Sequence, residues 1–131
     1  MRLAAVRIGG DPAAWEALGF AVAGGSIALA NGAIDVTAGS ALIVDPEGTG
    51  IESPADIEGV AVETGHAVPG GVHRNGAIEL DHVVLITDSL ERTSAAVADG
   101  LGLRQRRVRE AGEGERRVRQ AFHRFAPAAD G

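Results

Sequence analysis

Cysteine is absent from this 131-residue chain, and so are lysine and tyrosine. Without cysteine there is no disulfide, no thiolate metal centre and no cysteine nucleophile. Aromatics are confined to Trp15, Phe20, Phe122 and Phe125. The core must therefore come from Ala, Val, Leu and Ile, and the 45% apolar content suffices for a single domain. No apolar run approaches the roughly 20 residues a membrane span needs. Arg7 interrupts the N-terminal apolar stretch, which argues against an export leader. The expectation is a cytoplasmic protein with no membrane partner.

Positive charge is scarce over most of the chain and concentrated at its end. Residues 1–103 carry four arginines against 14 acids, net −10, whereas residues 104–131 carry eight arginines against four acids, net +4. An Arg-rich end can attract anions. Here the acidic remainder repels phosphates and no aromatic platform for bases is interleaved, so no nucleic-acid partner is expected.

Among what is present, residues 3–8 read as a strand. Asp11-Pro12 then starts a helix, with Asp at the cap and Pro at the first helical position, and Gly19 stops it. Short strand-like pieces follow at 20–23, 26–30, 33–37 and 41–44, with Asn31-Gly32 as a two-residue hairpin signal. Residues 52–78 are punctuated by Gly and Pro and read as a connector, with one helical turn over 53–57. The apolar, β-branched stretch 79–87 then reads as a buried strand bearing His82. A helix follows, with Asp88 and Glu91 as a capping pair and Leu90, Val97 and Leu101 on one stripe. Strands at 103–111 and 116–126 follow, joined by the polar turn Gly112-Glu113-Gly114-Glu115. The tail 126–131 stands where a further strand is expected. That leaves the 116–126 strand with an open edge, to be closed by residues 41–44, by a second copy of the chain, or by a C-terminal part absent from this sequence. A homodimer is the expected state.

Both halves share one syntax: an apolar strand, a capping Asp, a helix ending at Gly, then a second strand. Leu18-Gly19-Phe20 lies over Leu101-Gly102-Leu103 in this overlay. The string Leu80-Asp81-His82-Val83-Val84-Leu85-Ile86-Thr87-Asp88-Ser89-Leu90-Glu91-Arg92-Thr93, with Gly100-Leu101-Gly102-Leu103 and Arg119-Gln120-Ala121-Phe122, resembles the vicinal oxygen chelate superfamily. That is the glyoxalase, bleomycin-resistance and extradiol-dioxygenase group, and the likeness is strongest to glyoxalase-like proteins of actinobacteria. The resemblance implies an α+β fold of two tandem βαβββ modules forming curved mixed sheets around a cup. Residues 1–51 would be the first module, 52–78 the connector, and 79–131 a second module lacking its last strand.

In that superfamily a divalent metal in the cup is held by His, Gln and Glu from the first and last strands of each module. His82 matches one such position. The first strand of module one offers no ligand, and the last offers only Asp35, whose direction the sequence does not fix. One histidine does not hold a metal usefully. The expectation is therefore a small-molecule-binding protein without a complete metal site and without a required cofactor. Two alternatives stand beside it. One is a metal-dependent lyase, isomerase or dioxygenase using Zn, Ni, Mn or Fe, with His82 as ligand and Asp35 or Glu79 beside it. The other is a non-catalytic interaction module. Candidate ligand-binding residues are His82, Arg107, Arg109, Arg119 and His123, because guanidinium and imidazole together suit a carboxylate. The other reading of the arginines is a solvated outer face. His66 and His73, in the connector, are expected to be exposed. Ser94 has no nucleophile-elbow context.

Overall fold

The computed structural model describes residues 1–51 and 54–126. The fold is mixed α+β, as the sequence leads one to expect. Element order is β1 (Arg2–Gly9), α1 (Pro12–Ala17), β2 (Ser26–Ala28), β3 (Ala33–Thr37), β4 (Ala41–Asp45), β5 (Ala61–Thr64), α2 (Leu90–Leu101), β6 (Gln105–Ala111), a 3-10 turn (Gly114–Arg116) and β7 (Val118–His123). Five strands form one sheet in the order β2-β3-β1-β4-β5, and β6 and β7 form a separate hairpin.

Period-two alternation sorts the sheet into two unlike faces. The pairings Val6 with Ile34 and Leu42, Ile8 with Val36, and Leu42 with Val62 place the branched aliphatics on one side. The same pairings put Ala5, Arg7, Ala33, Asp35, Ala41, Ile43 and Glu63 on the other. The apolar face carries both core clusters. Leu42 and Val44 pack with Met1, Ile57 and Leu101, so α2 lies on this side. Ile27, Leu29 and Val36 pack with Trp15 and Phe20, so α1 does as well. Leu101 is 1% exposed and Ile27 0%.

The helix caps follow local chemistry. Asp11 accepts from the Ala13 N–H with Pro12 at the first helical position, as expected. In α2 the cap is Ser89, accepting from the Arg92 N–H, and not Asp88, which forms an (i, i+4) ion pair with Arg92. A hydroxyl one residue closer to the first turn wins the capping position, which frees the carboxylate for the cation. Gly102 at φ 68° closes α2.

Four further expectations are corrected. Residues 20–23 form only an isolated bridge, Ala23 with Ser26. The expected turn of helix at 53–57 is not formed at residues 54–57, and its Ser53 lies outside the described residues. Instead Ile57 and Val60 exchange two backbone hydrogen bonds around Glu58 and Gly59, both at positive φ, which is a tight reversal. Residues 79–87 join no ladder. Their burial alternates as a strand's does, with Val83 and Leu85 packed on the core and Val84 and Ile86 67% and 97% exposed. Propensity sets the alternation but does not by itself supply a ladder partner. Residues 41–44 do not close the β7 edge either, because β4 is already paired on both sides by β1 and β5.

The connector is built in. It contributes β5, parallel to β4. Its later part runs along the β2 side. Asn31 grips the Leu80 backbone with both amide atoms, each at 2.8 Å. His73 is buried at 5% exposure, contrary to expectation. Its Nδ1 accepts from the Ala21 N–H at 3.0 Å and its Nε2 donates to the Ala28 carbonyl at 2.7 Å. The first bond fixes the second, since a neutral ring has one donor and one acceptor. The ring also meets Phe20 edge-on at 5.6 Å. His73→Phe keeps a planar ring but orphans two backbone groups at about 1–3 kcal/mol each. Urea unfolding should therefore show a loss of about 2–6 kcal/mol.

Candidate functional site

The polar side of the sheet holds two charged groupings. At mid-sheet, Ser26 Oγ donates to Asp35 Oδ1 at 2.8 Å, and Asp35 sits in register with Arg7. Arg7 reaches across β4 to Glu63 with two bonds of 2.5 and 3.0 Å. The hydrogen bond from Arg7 holds the Glu63 carboxyl below the usual carboxylate range. This band pairs opposite charges with one another and reads as a brace over β1, β4 and β5.

The second grouping is at the sheet's end. The β4–β5 register runs to Val44 with Thr64, so the residues just past the ladder, Asp45 and Gly65-His66, emerge side by side. Pro46 follows Asp45 and cannot extend the ladder. Gly48 and Gly50, at φ 64° and 77°, turn the chain back over the space beyond. The result is an open cavity of about 750 Å³ bounded by Asp45, Pro46, Glu47, Ile51, Thr64 and His66, among others.

Asp45 is 7% exposed. Its Oδ2 lies 2.8 Å from His66 Nδ1 and its Oδ1 accepts from the Glu47 N–H at 3.2 Å. A carboxylate only accepts, so Nδ1 of His66 carries the proton in that bond. The His66 side chain is 85% exposed against 10% for Asp45. Arg2, opposite Asp45 in register, pairs with Glu47 at 2.9 Å. The Asp45 hydrogen bond and charge raise the His66 pKa above the ordinary histidine value, with a smaller push from Glu47. The hydrogen bond from His66 is the largest influence on Asp45 and keeps it below the usual range, outweighing burial. A buried carboxylate orienting an exposed imidazole is an arrangement suited to moving or lending a proton.

The residues singled out from sequence are dispersed. His82 is exposed, its Nδ1 2.7 Å from Asp81. In the hairpin, Arg109 pairs with Gln120 and Glu110 with Arg119, so Arg107 and Arg109 lie on the face opposite Arg119. Arg107 and Arg109 stack over Phe122, with guanidinium carbons 4.7 and 5.8 Å from the ring centre. Arg119 turns to Glu91 of α2 at 2.6 Å. His123 Nδ1 donates to the Leu103 carbonyl at 2.6 Å, and its Nε2 is 2.7 Å from Ser94 Oγ. Ser94 is 7% exposed, so this Ser–His contact docks α2 on β7 and offers no access to a substrate. The expected Arg/His pocket is thus split between two faces of one ribbon.

Among the described residues no three His, Asp or Glu side chains converge to hold a metal ion. His82 and Asp35 are each engaged elsewhere, by Asp81 and Ser26. No helix among them is long and apolar enough to cross a membrane. Comparison with protein-family models, with curated proteins and with solved structures finds no match.

The Asp45–His66 pair makes a signed contribution to stability. The raised His66 pKa favours the fold below the ordinary histidine value, and this is lost as pH rises through the raised one. The lowered Asp45 pKa favours the fold above the ordinary aspartate value, and this is lost as pH falls through the lowered one. The pair thus contributes most between about pH 4 and 6.5. NMR titration of the His66 ring should give a pKa above that of an exposed histidine, and Asp45→Asn should return it toward the ordinary value.

Proposed function

We propose that the chain is a glyoxalase-like protein that binds a small organic molecule, and that its binding surface is the cavity at the ends of β4 and β5. One observation carries this reading: a cavity of ligand size has a buried carboxylate, Asp45, set behind an exposed imidazole, His66. Small-molecule sites are concave, mostly apolar, and equipped with a few convergent polar groups. Titratable groups shifted by a specific partner gather at such sites. The family resemblance of residues 79–126 supports the same class of function. A fragment screen followed by amide NMR should shift resonances of residues 45–50 and 64–66. Loss of those shifts in His66→Ala, with the rest of the spectrum retained, is the expected control; shifts confined to the β6–β7 hairpin would overturn the assignment.

An interaction role has its own observation. Val84 and Ile86 present an apolar edge on a segment whose backbone joins no ladder. A second copy of the chain is the proposed partner. Sedimentation at micromolar concentration should report twice the chain mass, and Ile86→Lys should halve it. A single-chain mass for the unmodified protein would sink the dimer.

A further inference from the structure

We infer that the cavity takes a small monocarboxylate, held by Nε2–H of a cationic His66, and that binding draws one proton onto that ring. This rests on the small-molecule reading above and names its ligand class.

The first support is how Asp45 is held. Both of its oxygens are engaged, Oδ2 by His66 Nδ1 and Oδ1 by the Glu47 N–H. Asp45 therefore keeps the proton on Nδ1 whether the ring is neutral or cationic. Only the Nε2 proton is left to exchange. Nε2 has no protein partner among the described residues, and its ring bounds the cavity. The exposed nitrogen is thus a donor when the ring is charged and an acceptor when it is neutral.

The second support is the local charge. The groups around His66 are Asp45 of β4, Glu47 of the following turn, and Arg2 of β1, which is paired to Glu47. With His66 cationic these four side chains sum to zero. With His66 neutral they sum to −1, and an anion is repelled. An anionic ligand therefore enters together with a proton. The Glu47 carboxylate beside the opening disfavours a dianion such as phosphate, whereas a monocarboxylate accepts one charge-assisted bond from Nε2–H. Pro46 and Ile51 supply an apolar wall for the body of the ligand. The volume of about 750 Å³ lies within the usual range for small-molecule sites.

Benzoate and its uncharged isostere benzamide are suitable probes, titrated into the full chain by calorimetry. Buffers of different ionisation enthalpy at several pH values report the protons taken up. Benzoate should bind with uptake approaching one proton above the His66 pKa, and its affinity should fall about tenfold per pH unit there. Benzamide should show no such slope. His66→Gln keeps an amide donor but cannot titrate, so benzoate binding should weaken and become independent of pH. An unchanged amide spectrum outside the cavity shows that this variant is folded. Benzoate binding without proton uptake, or binding unaltered in His66→Gln, overturns the inference. Failure of benzoate while benzamide or other uncharged fragments shift the His66 ring overturns the carboxylate but leaves the small-molecule reading intact. Failure of charged and uncharged probes alike overturns both.

Discussion

At the centre of the sheet β1 is hydrogen-bonded to β3 on one side and β4 on the other, and its alternation decides which residues meet. Val6 and Ile8 face the helices, while Ala5 and Arg7 face away. Because side-chain direction repeats every two residues, a slip of one position would bury Arg7 and expose Val6. The register is therefore strongly specified by the buried face. The polar features depend on it: the Asp35–Arg7–Glu63 band, and the meeting of Arg2 with Asp45 at the strand ends. The extra residue between Leu3 and Ala5 is a bulge that keeps Arg2 on the Asp45 side.

The parallel pairing of β4 with β5 has a chemical outcome. Parallel neighbours need a crossover connection, and here it runs through the Gly- and Pro-punctuated residues 46–60. Two strands running the same way end at the same side of the sheet. Whatever residues follow them are brought together there, and in this chain those are Asp45 and Gly65-His66. The carboxylate is covered and the imidazole is not, so the two share a hydrogen bond in unequal surroundings.

Buried polar groups elsewhere serve the architecture. His73 ties the connector to the β2 edge, Asn31 holds the backbone of Leu80 just past the connector, and the Ser94–His123 contact holds α2 to the hairpin. Each satisfies backbone or side-chain groups that burial would otherwise leave unpaired, at a cost comparable to a lost hydrogen bond. A histidine in this chain is thus a clamp when its two nitrogens both meet protein, as in His73 and His123. His66 has one nitrogen so engaged and a ring that is mostly exposed.

Local chemistry by itself determined the elements whose signals are contained within a few residues. Asp11-Pro12 sets the start of α1, Gly102 the end of α2, Asn31-Gly32 the β2–β3 reversal, and the alternation at 103–126 a hairpin. Propensity also marked 79–87 as extended, but not its failure to find a ladder, because where a segment lies relative to a strand edge is set by tertiary placement and not by local sequence. Arg107, Arg109, Arg119 and His123 were legible as a charged ribbon; the division of its two faces was a matter of cross-strand register. The least legible feature was the one of most chemical interest. Asp45 and His66 are 21 residues apart, separated by a stretch that reads as a linker. Only the side-by-side packing of β4 and β5 brings them within hydrogen-bond reach, and only burial at that end gives the two groups their unequal exposure.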